Sequence, residues 1–186
     1  MKILVYWKKE QQENPNFLED LILPIQTHSS NIVEIKTGKE DLNNCDGIFT
    51  KRTNHFKLWI KTADCAAIVF YDDKHYGILH AGWRWYVWNI IEKMLKKFHS
   101  PYVYVAPFLH KFEIQKDFCY DIIYNKVKDN FFEFNNWKII FNFKQALKNI
   151  LPKNAIFDER NTFEDENLYS WRKNKTDKRN YTIVLN

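Results

Sequence analysis

Two strand-like segments separated by a polar turn constrain the fold of this chain most strongly. Residues 65–71 are apolar and include β-branched side chains, residues 72–75 (Asp-Asp-Lys-His) are typical of a turn, and residues 76–80 resume a strand. This order predicts a β-hairpin. Because the two strands of a hairpin run antiparallel, Cys65 and His80 are expected to lie close together at its open end.

Similar patterns predict the remaining elements. Strands are expected at residues 2–7, 31–36, 57–62, 102–106, 137–141 and 181–185, and helices at 84–99, 117–131 and 143–150. Within 84–99, apolar residues recur every three or four positions, which is typical of a helix with one buried face. Strands and helices that mix without strict alternation predict an α+β fold, a single layered α/β domain with mixed sheets that spans residues 1–186.

Composition limits the partners of such a domain. The chain has 186 residues and is 45% hydrophobic, which is enough to bury a core and excludes a disordered chain. The net charge of +5 is spread along the sequence, which favours a solvated surface over a nucleic-acid stripe but allows a basic pocket for a small anion. Three cysteines argue against a disulfide framework, and no apolar run is long enough to span a membrane. We therefore expect a cytoplasmic monomer that binds a small molecule, with neither nucleic acid nor membrane as a partner.

Three side chains near the predicted strand ends are suited to chemistry. His28, Cys65 and His80 are the right ligand types for a zinc ion with one open position. They are equally suited to a cysteine nucleophile with a histidine base. A third interpretation is structural, with a buried cysteine and two hydrogen-bonded histidines. The spacing of the three residues matches no compact zinc-finger pattern, so spacing alone leaves all three open.

Two charged residues flank these candidates. Asp64 either points away into a backbone turn, since neighbouring strand residues face opposite ways, or supports a ligating histidine. Arg84 begins the predicted helix after Gly82, where an anion would bind well. The alternative for Arg84 is a surface salt bridge.

Glycine is scarce in this chain, with only four in 186 residues. Three of them, Gly47, Gly77 and Gly82, lie beside the segments discussed here. We expect these glycines to mark positions where a side chain cannot fit.

Five segments in order carry a family resemblance. They are residues 26–33 (Gln-Thr-His-Ser-Ser-Asn-Ile-Val), 45–50 (Cys-Asp-Gly-Ile-Phe-Thr), 62–65 (Thr-Ala-Asp-Cys), 80–84 (His-Ala-Gly-Trp-Arg) and 169–172 (Tyr-Ser-Trp-Arg), the last followed by Thr176 and Arg179. Together they resemble the laccase-domain, YfiH-like family. That family is described both as polyphenol oxidase and as purine nucleoside phosphorylase with adenosine deaminase activity.

The resemblance implies a fold and a metal. The fold would be the YfiH-like α/β layered fold shared with a group described as cysteine hydrolases. The metal would be zinc, with copper as the alternative, held by His28, Cys65 and His80. A multicopper oxidase would need many more histidines than the six present, so the ligands support a single metal ion.

The resemblance also implies substrates, namely phosphate and a purine nucleoside: adenosine, inosine or methylthioadenosine. Arg84 or Arg172 would hold the phosphate, Trp85 would stack on the base, and Asp64 or Asp46 would transfer protons. Trp85 stands where the family usually has glycine, and lysine replaces a family arginine at Lys173 and a family glycine at Lys178. Substrate recognition is therefore expected to differ more than metal binding.

Two alternatives to a zinc-dependent nucleoside enzyme remain open on the sequence. One is a cysteine-dependent amide hydrolase with Cys65 as nucleophile and His80 as base, acting for example in peptidoglycan editing. The other is a non-catalytic protein that uses the same pocket as a sensor. Metal content discriminates the zinc-dependent nucleoside enzyme from the cysteine hydrolase. Turnover of adenosine discriminates the nucleoside enzyme from the sensor.

Overall fold

The structure, a computed structural model, describes residues 1–13, 20–84 and 89–186. Within these residues the strands form three sheets. The central sheet has six strands in the order β12-β8-β6-β7-β4-β3. Its strands are β3 (Ile32–Ile35), β4 (Gly47–Lys51), β6 (Ala66–Tyr71), β7 (His75–Ala81), β8 (Tyr102–Val105) and β12 (Ile156–Phe157). β3 pairs parallel to β4 and β12 parallel to β8, whereas the other neighbours are antiparallel, so the predicted mixed sheet is confirmed.

Two further sheets complete the architecture. One has four strands in the order β1-β13-β5-β2, formed by β1 (Lys2–Tyr6), β2 (Leu21–Ile22), β5 (Lys57–Thr62) and β13 (Asn180–Leu185). The other has three strands in the order β10-β11-β9, formed by β9 (Lys111–Ile114), β10 (Phe132–Asn135) and β11 (Lys138–Asn142). The strand predicted at 57–62 has the observed bounds of β5.

The central sheet is buried on both faces because its strands carry apolar residues at odd and even positions alike. In β6, Ala66, Ile68 and Phe70 belong to a cluster shared with the helices and the three-stranded sheet. Ala67 and Val69 point the other way, into a cluster shared with β5 and β13. Such a doubly covered strand is expected to be a continuous apolar run rather than an alternating one.

Five helices are present in the described residues. They are α1 (Lys8–Glu13), α2 (Ile90–Leu95), α3 (Phe118–Val127), α4 (Phe143–Ile150) and α5 (Trp171–Asn174). The helix predicted at 143–150 matches α4. None of the described helices is both long and apolar enough to cross a membrane.

The helix predicted at 84–99 is wrong at both ends. Arg84 lies in a turn, and Asn89, directly before α2, has a left-handed backbone with φ of 52°, which no continuous α-helix can include. At the other end the chain turns after Leu95, and the ring of Phe98 stacks on Phe70 with centroids 5.8 Å apart. Arg84 therefore does not begin a helix. Residues 85–88, which include Trp85 and part of the predicted apolar face, lie outside the described residues.

The helix predicted at 117–131 is correct only in its first part. The α-helical hydrogen bonding ends at Val127, and residues Lys128–Phe131 continue as a 3-10 turn. β10 begins at the next residue, Phe132. The tighter turn lets the chain change from helix to strand without an intervening loop.

Candidate metal centre

Three potential metal ligands meet at one end of the central sheet. His28 comes from the loop between β2 and β3, Cys65 directly precedes β6, and His80 lies near the end of β7. Their ligand atoms all lie within 4.8 Å of one another, and the Sγ of Cys65 is 3.7 Å from the Nε2 of His28. In the part of the chain that the structure describes, this is the only such group of three. Two imidazole nitrogens and a thiolate match the donor set of a zinc ion with one open position.

The register of the β6–β7 hairpin explains why Cys65 and His80 meet. Ala67 pairs with His80. Continuing the ladder by two residues puts Cys65 opposite Gly82, on the same face of the sheet as His80. The proximity expected from the hairpin pattern is thus confirmed.

Gly82 makes room for His28. A Cβ at position 82 would lie 2.9 Å from the Cδ2 of His28 and 3.3 Å from the Sγ of Cys65. The first distance is shorter than real Cβ contacts allow, so any side chain here would displace the His28 ring. The expectation that glycine marks a position without space is confirmed at Gly82.

We predict that Gly82→Ala weakens zinc binding about tenfold, equivalent to ~1.4 kcal/mol, with little loss of thermal stability. The exposed His28 ring can move aside, which relieves the clash but breaks its alignment with Cys65. Gly77→Ala is the control, because its Cβ would lie 2.7 Å from the backbone oxygen of Ile48 in the core. It should lower the free energy of unfolding by ~1–3 kcal/mol without a specific effect on zinc. Competition with a chromophoric chelator and thermal melting measure the two effects, and an unchanged zinc affinity in Gly82→Ala would contradict the assignment.

Asp46 fixes the orientation of His80. This fully buried carboxylate lies 2.6 Å from the Nδ1 of His80. It also accepts backbone hydrogen bonds from Thr27, His28 and Ser29 at 3.1, 3.1 and 2.6 Å. Because Nδ1 is engaged with the carboxylate, the Nε2 of His80 is the ring nitrogen left to face the cluster. One carboxylate therefore orients one candidate ligand and shapes the loop that carries another.

The same contacts set the charges of the cluster. Burial alone would raise the pKa of Asp46, but its hydrogen bonds from His80 and the loop lower that pKa to about 2. Burial would lower the pKa of His80, yet the hydrogen bonds with Asp46 and Cys65 raise it to about 9. For Cys65, burial is outweighed by hydrogen bonds with His28 and His80, which lower the thiol pKa to about 6. Cys65 is thus favoured as a thiolate near neutral pH, the form that both a metal ligand and a nucleophile need.

Asp64 has a different environment from Asp46. Its backbone is left-handed, with φ of 91°, and its carboxylate accepts hydrogen bonds from the Thr162 hydroxyl and from the backbone N–H of Arg172. The sequence left open whether Asp64 supports a ligating histidine or lies in a backbone turn. The residue that supports a candidate histidine ligand is Asp46, which contacts His80. The carboxylate of Asp64 instead connects the cysteine segment to the C-terminal part of the chain.

A cavity of about 460 Å³ opens beside the cluster. Four cationic side chains line it, namely Lys61, Arg84, Arg172 and Arg179. Its apolar wall comes from Trp83, Leu109, Phe112, Phe143 and Trp171. A volume of this size is typical of a small-molecule site, and clustered cations favour an anionic ligand.

The two arginines predicted to hold phosphate differ in their partners. Arg84 forms an ion pair with Asp117, with 3.0 Å between Nη2 and Oδ2. The guanidinium of Arg172 lies 4.5 Å from the ring centre of Phe112 and donates a hydrogen bond to the backbone oxygen of Glu113. Among the described residues, no carboxylate lies within 4.0 Å of the Arg172 guanidinium. Arg172 is therefore the better placed of the two to receive an external anion.

Several lining residues carried no assignment from the sequence. Gln26 exchanges two hydrogen bonds with the backbone of Lys61 and so joins the His28 loop to β5. Its place two residues before His28 was the only signal for it. Phe112 and Phe143 reach the cavity from β9 and α4, and nothing in their local sequence distinguishes them from core aromatics. Trp85, predicted to stack on a base, falls outside the described residues.

The fold and the site together define a mixed α/β protein with a candidate His-Cys-His metal centre. Comparison with known proteins bears on the family and the fold. A family model described as multi-copper polyphenol oxidoreductase laccase matches residues 9–185. The chain belongs to this family. The predicted relationship is thereby confirmed over nearly the whole sequence.

Two relatives of this chain carry the name purine nucleoside phosphorylase. One from Staphylococcus epidermidis is 36% identical over 95 residues, which cover 45% of this chain and 36% of that protein. One from Aquifex aeolicus is 29% identical over 175 residues, which cover 90% of this chain and 83% of that protein. The match to the staphylococcal protein thus spans only about a third of its length.

Solved structures share the fold. The YfiH protein of Bacillus licheniformis superposes with a TM-score of 0.74 at 21% identity, over 96% of this chain and 79% of that one. A Neisseria meningitidis protein superposes with a TM-score of 0.77 at 18% identity, over 94% and 77% of the two chains. The YfiH-like mixed α/β architecture expected from the sequence is therefore confirmed.

Proposed function

We propose that this chain is a zinc-dependent purine nucleoside phosphorylase that also deaminates adenosine. The observation that carries the proposal is the His28, Cys65 and His80 cluster, which adjoins a cavity lined by four cationic side chains. The names of the relatives from Staphylococcus epidermidis and Aquifex aeolicus support the same reaction class. Copper remains the alternative metal.

In phosphorolysis, an oxygen of phosphate attacks C1′ of the ribose, the bond from C1′ to the base breaks, and the base leaves with a proton. Arg172 would hold the phosphate, because it lines the cavity and its guanidinium has no carboxylate partner in the described part of the chain. Phe112 and Trp171 offer aromatic faces for the base. The cations at the cavity also stabilise the charge that the phosphate already carries and the negative charge that develops on the leaving base.

In deamination, a water oxygen replaces the amino group at C6 of adenine and ammonia leaves. A zinc ion, when bound, supplies a Lewis acid with an open position for that water. His28, Cys65 and His80 would hold the ion, and Asp46 would keep the Nε2 of His80 directed at it. We assign Asp64 to the shape of the cavity wall rather than to proton transfer, because both of its oxygens accept hydrogen bonds from the protein.

The proposal is tested on protein purified without chelator. We expect about one zinc ion per chain by elemental analysis, as a three-ligand site requires. Adenosine and inosine should release free base only when phosphate is present, whereas adenosine should give inosine and ammonia without phosphate. Metal-loaded protein that turns over neither nucleoside would refute the proposal.

We predict that Arg172→Ala raises the KM for phosphate at least tenfold, a loss of ~1.4 kcal/mol or more, as expected for a hydrogen bond to a charged group. Arg84→Ala should raise it only about twofold, since Asp117 already neutralises that guanidinium. Arg52→Ala is the control, because Arg52 bonds to Asn186 away from the cavity. Phosphate-dependence curves are measured alongside melting temperatures. A larger effect in Arg84→Ala at unchanged stability would return the phosphate to Arg84.

A second candidate is the cysteine-dependent amide hydrolase, for which peptidoglycan fragments are the suggested substrates. The spatial arrangement of Cys65, His80 and Asp46 favours this candidate. A thiol beside an imidazole that is hydrogen-bonded to a buried carboxylate resembles a nucleophile, its base and an orienting acid. Metal removal separates the two candidates. The phosphorylase should lose activity with the metal and regain it with added zinc, whereas a hydrolase that uses the free thiolate should not.

A further inference from the structure

The buried carboxylate of Asp64 joins parts of the chain that are far apart in sequence. Asp64 directly precedes Cys65, and its Oδ1 accepts a hydrogen bond from the Thr162 hydroxyl at 2.8 Å. Its Oδ2 accepts a hydrogen bond from the backbone N–H of Arg172, also at 2.8 Å. Thr162 is fully buried, and Asp64 is only 9% exposed. The cysteine segment is thus tied to the start of α5 through one carboxylate.

Helix α5 depends on such a tie because it is short. It has four residues, Trp171–Asn174, far fewer than an isolated helix needs for stability. Ser170 caps it by accepting a hydrogen bond from the N–H of Lys173. The N–H of Arg172 has no partner inside the helix at that position, and Asp64 supplies one. A carboxylate is the favoured acceptor there, because it is charged and faces the positive end of the helix.

The direction of the Arg172 side chain follows from where α5 lies. Its guanidinium packs over Phe112 and donates to the backbone oxygen of Glu113, so the far end is fixed on β9. At the near end, the backbone N–H of Arg172 is held by its hydrogen bond to Asp64. If that N–H loses its acceptor, the guanidinium keeps its contacts but the helix that carries it gains freedom. An anion site built on Arg172 would then be less well preorganised.

We propose that Thr162 is a positioning residue that acts through Asp64 to hold Arg172 for the anionic substrate. The inference rests on the proposed function, in which Arg172 binds phosphate. Thr162 contributes the hydroxyl that keeps the Asp64 carboxylate turned toward α5. Without that donor, Oδ1 is left buried without this partner, and the carboxylate is free to rotate away from the Arg172 N–H.

The test compares Thr162→Val with Thr162→Ser, since valine keeps the shape of threonine without its hydroxyl and serine keeps the hydroxyl. Thr50→Val is the matched control. Thr50 is another fully buried threonine, whose hydroxyl donates to the backbone oxygen of Ile35 at the opposite end of β4 from Asp46. Amide hydrogen exchange over residues 170–174, the KM for phosphate, kcat and zinc content are measured for each variant.

We expect Thr162→Val to speed exchange over residues 170–174 and to raise the KM for phosphate about tenfold, with kcat within about twofold and zinc unchanged. Thr162→Ser should restore both values. Thr50→Val should lower the melting temperature comparably but leave exchange at α5 and the KM unchanged. Unchanged exchange over residues 170–174 in Thr162→Val would overturn the inference. Wild-type protein without nucleoside turnover would overturn the proposed function instead, and the exchange measurement would still decide the role of Thr162.

Discussion

Replacement of Cys65 by serine is expected to lower zinc binding and nucleoside turnover strongly and together. A hydroxyl is a far poorer zinc ligand than a thiolate, and the low pKa of Cys65, about 6, shows how strongly its surroundings favour the thiolate. We expect zinc affinity to fall by at least about 100-fold, equivalent to ~2.7 kcal/mol. Elemental analysis of dialysed protein and assays of adenosine and inosine with phosphate measure the two losses.

Cys119→Ser provides the control for metal content. Cys119 is a fully buried free cysteine in α3, outside the cluster, so its loss should not change the zinc content. If Cys65→Ser keeps its zinc and loses turnover, Cys65 is a nucleophile rather than a ligand. That result would favour the cysteine hydrolase.

Replacement of Asp46 by asparagine is expected to weaken metal binding and to reduce the pH dependence of folding stability. An amide cannot accept hydrogen bonds at its nitrogen, so at least one of the N–H groups on Asp46 loses its acceptor. Loss of a carboxylate behind a ligating histidine typically costs about 10–100-fold in metal affinity, and we expect a decrease in that range. The free energy of unfolding should also fall, by ~1–3 kcal/mol for the buried groups left without partners.

The pH response follows from the lowered pKa of Asp46. A carboxyl group whose pKa is about 2 in the folded state, below its unfolded value of about 3.9, stabilises the fold above that unfolded value. This contribution disappears as the pH falls toward 2. Metal-free wild type should therefore lose stability between about pH 4 and 2 more steeply than Asp46→Asn does.

Asp72→Asn is the matched control for Asp46→Asn. Asp72 is also a buried carboxylate, and it accepts hydrogen bonds from the backbone N–H groups of Lys74, His75 and His99. Its replacement should reduce stability to a similar extent while leaving zinc affinity unchanged. Equal zinc affinities in Asp46→Asn and wild type would show that His80 does not need Asp46 for its orientation.

Elements with clear local boundaries could be predicted from the sequence. β5 and α4 have their predicted bounds, and α4 is capped by the Asn142 side chain at its start and closed by Pro152 after its end. The β6–β7 hairpin and the proximity of Cys65 and His80 followed from one turn. Cys45 and Cys119 are both fully buried.

Elements and roles that depend on distant partners could not be predicted. β4 has no strong strand pattern and exists because it pairs with both β3 and β7. Asp46 lies directly before β4, and the sequence could therefore not decide whether Asp46 or Asp64 is the acid that acts at the site. The two acids differ in the backbone N–H groups that they bind: those of residues 27–29 for Asp46 and that of Arg172 in α5 for Asp64. A backbone N–H is present at nearly every residue, so the sequence does not indicate which acid it will bind. The left-handed residue Asn89, which interrupts the predicted helix, is likewise a backbone feature.

The position of β13 bears on how the protein is made. This strand lies late in the sequence but pairs with β1 on one side and β5 on the other, and Arg172, just upstream, completes the contacts of Asp64. During synthesis on the ribosome, one edge of β1 and one edge of β5 therefore stay unpaired until β13 has emerged. The cavity wall at α5 is consequently among the last parts to assemble. Because these pairings join strands that are distant in sequence, we expect the four-stranded sheet and the cavity wall beside it to form slowly.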